Sequence, residues 1–348
     1  MWRMVLRDLQ WRRRRFVLAG LATSLVFSVT LLLTGVSTSV HSESERVVDR
    51  FEADTWMVLA GGSGPFTSAA GVPVTAAEVV SKVPGVTRAE PVLLLRAGVP
   101  GDPVRDVNLV GIVLGGLGEP EPSEGARLAG PGEAIVDAEL GLDPGDPIRL
   151  GGQDLRVVGV AKRISYTFGI PTVYVPIEDA QRIVFGGAPS ASAIVVQGTP
   201  TEVPPGLEAM ENDEVLADLE RPLARGTDSI DLILVLLTIT AAGIVGLIVY
   251  LSTIERMADL AVLKATGSSR RFMAFGLAVQ ALLLSVASAA VSVGLAALIA
   301  PAFPVPLEVR GDTYAQLLGL ALAVGLLASL AGVWRAIRVD PVTAFGGR

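Results

Sequence analysis

Four stretches of this chain are apolar for some twenty residues or more, and they restrict what it can become more than any other feature. They cover residues 16–40, 230–252, 272–300 and 314–334. A helix needs about 20 apolar residues to cross the hydrocarbon of a bilayer, and each stretch supplies them. The first follows the run Arg12–Arg15. It outlasts the roughly 7–15 residues of a secretory signal core, and no A-x-A-like cleavage site comes after it, so it reads as a retained span. Pro301 closes the third stretch and Trp334 stands at the end of the fourth. Charged residues make up 18% of the chain, against roughly 25% in soluble domains. The deficit sits in the four blocks, which argues for a membrane protein.

Arginine and lysine near the span ends set the expected orientation. The segments 1–15, 253–271 and 335–348 carry 13 such cations and 4 acids. With four spans, all three segments fall on one side, which the cation excess makes the cytoplasm. The opposite side receives 41–229 and a short external loop over 301–313. Residues 41–229 hold 28 acids and 14 cations. The overall charge of −7 thus hides a basic cytoplasmic face and an acidic external domain. Asp228 and Asp231 flank the start of the second span, where acids suit the positive end of a helix dipole.

Segment 41–229 is long enough for a folded domain, and its pattern is α+β. Strand character runs over Asp49–Ala60 and ends at Gly61-Gly62. A short helix is expected over Ala76–Val83, closed by Pro84-Gly85, and a strand over Val86–Arg96. Ala138–Gly141 precedes the turn Asp143-Pro144-Gly145-Asp146. Two strands, Pro147–Leu150 and Leu155–Val160, flank Gly151-Gly152, a hairpin signature. Thr172–Val175 reads as strand, Ile177–Val184 as helix, and Val195 and Val196 as part of a later strand. Beyond Pro204-Pro205-Gly206 the segment Leu207–Leu223 reads as helix leading back to the membrane.

Several chemistries are excluded. The chain has no cysteine and one histidine, His41, so disulfides and thiolate metal sites are impossible and histidine-based hydrolysis has little to stand on. His41 reads as an interfacial polar residue. No G-x-x-x-x-G-K-[ST] loop occurs, so ATP is not held in the P-loop manner. Gly115-Gly116 and Gly61-Gly62-Ser63-Gly64 read as turns. The span interiors are nearly free of charge, which argues against an ion-conducting path. Gln280 is the main polar exception in the third span and reads as interhelical packing glue. Small residues, among them Gly243, Gly246, Ser285, Ser288, Gly319 and Gly325, allow close helix packing.

The loop Glu255–Phe272 lies between the second and third spans and carries both signs of charge. Leu260, Ala261, Leu263 and Ala265 give it an apolar stripe, and Glu255, Arg256, Asp259 and Lys264 its polar neighbours. Gly267-Ser268-Ser269 stops it, glycine being favoured after a helix end. A short amphipathic helix that docks into a groove fits this pattern. From Glu255 to Gly267, E-R-x-x-D-L-A-V-L-K-A-T-G resembles the E-R-x-x-E-I-G-x-L-R-A-x-G signature of FtsX-like, or MacB-type, ABC transporter permeases, with Asp259, Ala261 and Lys264 as mild departures. The ending Trp334–Phe345 is similar to that family's terminal A-x-R-x-x-P-x-x-A-L, and Ala138–Pro176 to its MacB-like periplasmic core domain.

The resemblance implies an α-helical membrane protein with four transmembrane helices (1+3) and a large α+β extracytoplasmic domain of MacB-like periplasmic core type inserted between helices 1 and 2. It implies a non-catalytic permease, multi-pass in the bacterial cytoplasmic (inner) membrane, with both termini cytoplasmic. ATP and Mg would be bound by a partner ABC-type ATPase dimer, with no cofactor in this chain itself. A second permease copy or homologue, membrane lipid and an extracytoplasmic partner protein are the further expected partners, and nucleic acid is not one. Glu255, Arg256, Asp259, Leu260, Leu263, Lys264, Ala265 and Gly267 would form the ATPase-coupling contact. Motion entering there would reach the external domain through the first and second spans and drive export of a drug, peptide or lipid-linked substrate. The alternatives are signalling to a cell-wall hydrolase without cargo, and a membrane-anchored sensor or adhesion protein with no ATPase.

Overall fold

Helix α1 (Arg13–Arg50) opens the fold and runs beyond its apolar part into polar sequence. The elements that follow are β1 (Thr55–Leu59), β2 (Val72–Pro73), α2 (Ala76–Val80), β3 (Val86–Val99), β4 (Arg105–Ile112), β5 (Glu124–Gly125) and β6 (Glu133–Asp137). After a 3-10 turn at Ala138–Leu140 come β7 (Pro147–Leu150), β8 (Gln153–Ala161), β9 (Thr172–Pro176), α3 (Ile177–Phe185), β10 (Ser190–Ala191), β11 (Ala193–Gly198), β12 (Leu207–Met210) and α4 (Asn212–Glu220). The chain ends in α5 (Ala224–Glu255), α6 (Arg270–Ile299) and α7 (Gly311–Ile337). The computed structural model describes residues 13–68, 71–100, 105–166, 169–255, 262, 269–302 and 311–337. Two compact units divide the chain, Met1–Ser39 with Gly226–Arg348 and Val40–Arg225.

The first unit is a bundle. Among the described residues, four helices are long and apolar enough to cross a membrane: Phe16–Arg50, Ser229–Glu255, Ala274–Ile299 and Thr313–Leu330. Their facing sides join Phe27, Leu31, Val245, Ala281, Leu284 and Val324 in one buried cluster. Small residues set the spacing. A Cβ on Gly325 would lie 3.0 Å from the Leu282 Cα, so α6 and α7 approach as closely as backbone allows. Their outward sides remain large and apolar, with Leu232, Leu236 and Ile239 on α5 and Leu322, Leu326 and Leu330 on α7 all exposed. A surface greasy outside and small-packed inside is stable against lipid tails, where packing rather than water exclusion holds helices together.

The second unit is built on a ten-stranded mixed sheet, ordered β12-β1-β11-β3-β4-β9-β6-β8-β5, with β7 also paired to β8. Only β4–β9 and β6–β8 are parallel. The central strands alternate sides, and both sides are buried. Val92, Leu94, Val110, Ile112, Ile135 and Tyr174 enter one core, while Leu93, Val107, Leu109, Val136, Val173 and Val175 enter the other, beneath α3. Asn108 sits wholly buried in β4 because its Nδ2 donates to the Ile170 carbonyl at 3.0 Å.

Two expectations are corrected. Asp49–Ala60 is not strand throughout: α1 continues to Arg50 and β1 begins at Thr55. The extra turns form because Val47, Val48 and Phe51 share a helical face and fill the first core. Leu207–Leu223 is not one helix: Leu207–Met210 pairs with β1, from Leu59↔Leu207 to Trp56↔Met210. Helix α4 begins only at Asn212, where Glu211 and Glu214 form a capping box.

Candidate coupling site

Of the residues expected to receive a partner, Glu255 is the last residue of α5 and is exposed. Val262, within the expected helix, is helical and half exposed. Arg256, Asp259, Leu260, Leu263, Lys264, Ala265 and Gly267 lie outside the described residues. The segment is bracketed by the end of α5 and the start of α6 at Arg270. The bracket is tied from within: Gln280 Nε2 on α6 donates to Ser252 Oγ on α5 at 3.4 Å, both side chains buried. Gln280 therefore serves as the interhelical glue its position suggested. Thr253 Oγ1 donates to the Val249 carbonyl at 2.7 Å, which satisfies that hydroxyl within its own helix.

The sheet domain packs both of its chain connections into one core. The last turn of α1 and the residue after it supply Val47, Val48 and Phe51 to the first core, and α4 supplies Val215 and Leu219. Between them lies Trp56, fully buried, its ring edge-on to Phe51 at 5.0 Å between centroids. Trp56 Nε1 donates to Asn212 Oδ1 at 3.0 Å, and Asn212 Nδ2 donates to the Ala53 carbonyl at 2.9 Å. One side chain at the start of α4 thereby fixes the segment that leaves α1.

Arg50 secures the end of α1. Its Nη2 donates to the Arg163 carbonyl at 2.7 Å, and its Nη1 to Tyr174 Oη at 3.2 Å and the Ile164 carbonyl at 3.4 Å. The non-glycine residues with positive φ are Glu52 (49°) and Arg163 (57°) among the described residues. Glu52 is the second residue after the helix, and Arg163 is the residue whose carbonyl Arg50 holds. Left-handed backbone costs a side-chain-bearing residue about 1–2 kcal/mol, so surrounding contacts must impose both turns. Burial pushes the Tyr174 hydroxyl above its ordinary range and Asp137 adds to the push, against the Arg50 charge and hydrogen bond. Burial likewise raises Tyr166, with Tyr174 adding and Arg96 opposing. Both phenols stay neutral donors or acceptors.

Asp218 on α4 is wholly buried and ties the glycine-rich turn to that helix. Its carboxylate accepts from the amides of Phe66 at 2.9 Å and Thr67 at 3.2 Å, and from the Thr67 hydroxyl. Arg221 lies 3.4 Å away. A Cβ on Gly64 would fall on this carboxylate, and Gly64 has φ 135°. The turn expected at Gly61–Gly64 is thus also a close approach. Sequence reasoning passed over Arg50, Asn212 and Asp218. The one available signal was the apolar spacing Val47-Val48-Phe51 inside an otherwise polar stretch.

The family model for the MacB-like periplasmic core domain matches residues 20–210, and that for the FtsX-like permease C-terminal region matches 232–341. The chain belongs to the FtsX/MacB-type ABC transporter permeases. The permease is 38% identical over 343 residues to an uncharacterized ABC transporter permease of Mycobacterium tuberculosis (strain ATCC 25618 / H37Rv), covering 98% of each chain. A second from the same strain is 37% identical over 346 residues, again covering 98% of both. The crystal structure of the periplasmic region of MacB from Actinobacillus actinomycetemcomitans aligns at a TM-score of 0.35 and 15% identity, covering 48% of the permease and 92% of that chain.

Proposed function

We propose that this permease passes the ATP cycle of a separate ABC ATPase dimer to its sheet domain, and that the movement serves export of a drug, peptide or lipid-linked substrate. The ATPase meets the α5–α6 segment on the cytoplasmic side, through Glu255, Arg256, Asp259, Leu260, Leu263, Lys264, Ala265 and Gly267. Two permease copies stand over two ATPases, and both termini are cytoplasmic. The sheet domain is external.

The observation that carries this reading is the convergence of both connections on one face of the sheet. Because α1 runs unbroken to Arg50 and the segment after α4 opens directly into α5, a shift of either helix acts on the same core. The cation excess of the three short segments supports the orientation. The apolar outer faces of α5 and α7 support a bilayer setting.

The test is made on the permease co-purified with its neighbouring ATPase in lipid discs. Leu263→Asp with Lys264→Glu is expected to abolish permease-dependent stimulation of ATP hydrolysis while the bundle and sheet domain still melt at their usual temperatures. Full stimulation by the double variant would overturn the assignment of this contact.

A further inference from the structure

A cleft of about 410 Å³ opens in the sheet domain beside the two connections. Its volume lies within the roughly 300–1,000 Å³ of small-molecule sites. The end of α1 contributes Val40, the glycine-rich turn Phe66, β3 Leu94 and Leu95, and the α4 end Leu219 and Leu223. Apolar surface predominates, and the hydroxyls in the wall are already spent. Ser44 Oγ donates to the Val40 carbonyl at 3.0 Å, Thr67 Oγ1 to Asp218, and Tyr166 Oη to the Leu95 carbonyl at 3.1 Å. Their protons are not available to a guest, which meets mainly apolar contact along this part of the wall.

Charge at the cleft comes from Glu43 and Arg96. Glu43 has a partner within the protein. Arg96 is exposed, and among the described residues its guanidinium forms neither ion pair nor hydrogen bond; its one recorded interaction is a long-range one with Tyr166. The guanidinium fork is built to bind a carboxylate or phosphate. Val40 lies within the membrane-length helix α1, and Leu223 immediately precedes α5. The cleft is therefore walled by the two segments that lead into apolar helices.

We infer that this cleft binds a single acyl chain with an anionic head, the chain along Phe66, Leu94 and Leu219 and the head on Arg96. The inference deepens the export reading, and rests on it for placing the cleft at the external leaflet. It makes the exported or sensed molecule an anionic single-chain amphiphile. Neither a polar peptide nor a cationic drug suits the wall and its one unspent charge.

The probe is palmitic acid carrying a diazirine near the chain end, applied to the full-length permease in discs of zwitterionic lipid without ATPase or nucleotide. Labelling is expected to saturate and to map to the peptides bearing Phe66, Leu94 and Tyr166. Unlabelled palmitate should displace the probe, and a trimethylammonium of equal chain length should compete about tenfold less well, the scale of one charge-assisted hydrogen bond. Arg96→Glu should weaken labelling by a similar factor, whereas Arg127→Glu, exposed and outside the cleft, should not. Leu95→Trp, which fills the cleft, should reduce labelling with the melting temperature retained. Labelling confined to the four long helices, or equal displacement by the cationic chain, would overturn the proposal. The assay needs no ATP, so a permease that labels as expected yet stimulates no ATPase would sink the export reading and leave the site standing.

Discussion

Arg50 concentrates more structural consequence than any other charged residue of the sheet domain. It closes α1, meets two carbonyls and a phenol, and borders both left-handed residues. Arg50→Ala leaves the part-buried Ile164 carbonyl and Tyr174 hydroxyl without this donor, and a lost bond to a charged group typically costs about 1.5–3 kcal/mol. The sheet domain should melt lower by a corresponding margin in denaturant titration. Arg50→Lys should recover only part of the loss, because an ammonium cannot span three acceptors in the guanidinium plane. The two buried tyrosines give a pH signature. A tyrosine in the unfolded chain ionises near pH 10, while burial holds Tyr166 and Tyr174 protonated above that in the fold. Above pH 10 the unfolded state has thus lost protons that the folded state keeps, so stability falls as pH rises. Below pH 10 the contribution is intact. Stability of the sheet domain should decline from about pH 10 upward, and Tyr166→Phe with Tyr174→Phe should flatten the decline; an equal slope in the double variant would refute the attribution.

At the scale of elements, α4 is a short helix whose value lies in what it holds. Asn212 at its start grips Trp56 and Ala53, and Asp218 in its last turn grips the glycine-rich turn. Asn212→Ala should cost about 1–3 kcal/mol through unpaired buried groups. Gly64→Ala should cost more, because the new methyl falls on the Asp218 carboxylate at a φ that suits glycine; both are measurable by thermal melting of the purified protein. The elements differ in how readily the sequence discloses them. The β7–β8 hairpin announces itself through Gly151-Gly152, and the four long helices through their length. Strand β4 does not, since it is central and buried on both sides, which erases the polar alternation of a half-exposed strand. Its Asn108 looks like a break until the Ile170 carbonyl is seen to receive it. Leu207–Met210 is composed of good helix formers, and only the open edge of β1 makes it strand. The coupling segment stands out in the sequence by its mixed charge between two spans, and most of it lies outside the described residues. The contacts that hold the two connections of the sheet domain were hidden, because Arg50, Asn212 and Asp218 acquire meaning from partners more than a hundred residues away.

For the whole molecule, the two connections to the sheet domain should move as one body. His41, in the C-terminal part of α1, sets its Nδ1 2.8 Å from Glu220 on α4 and its Nε2 3.5 Å from Glu45. The chain contains no cysteine, so His41→Cys with Glu220→Cys creates a single bridgeable pair. Joining them with a short bis-maleimide should leave ATP-dependent function in the reconstituted complex intact. Loss of function on bridging would show that the two segments separate during the cycle. The strand order carries one more consequence, for the birth of the protein. The first strand to emerge, β1, lies between β11 and β12, so its edges stay bare until nearly the whole domain has been synthesised. Pairings so remote in sequence are slow to form, and a bare apolar edge invites its neighbours. Protection of this domain must therefore outlast synthesis of its final strand, and a chain cut just before Leu207 should leave the cell's quality control an edge it can never close.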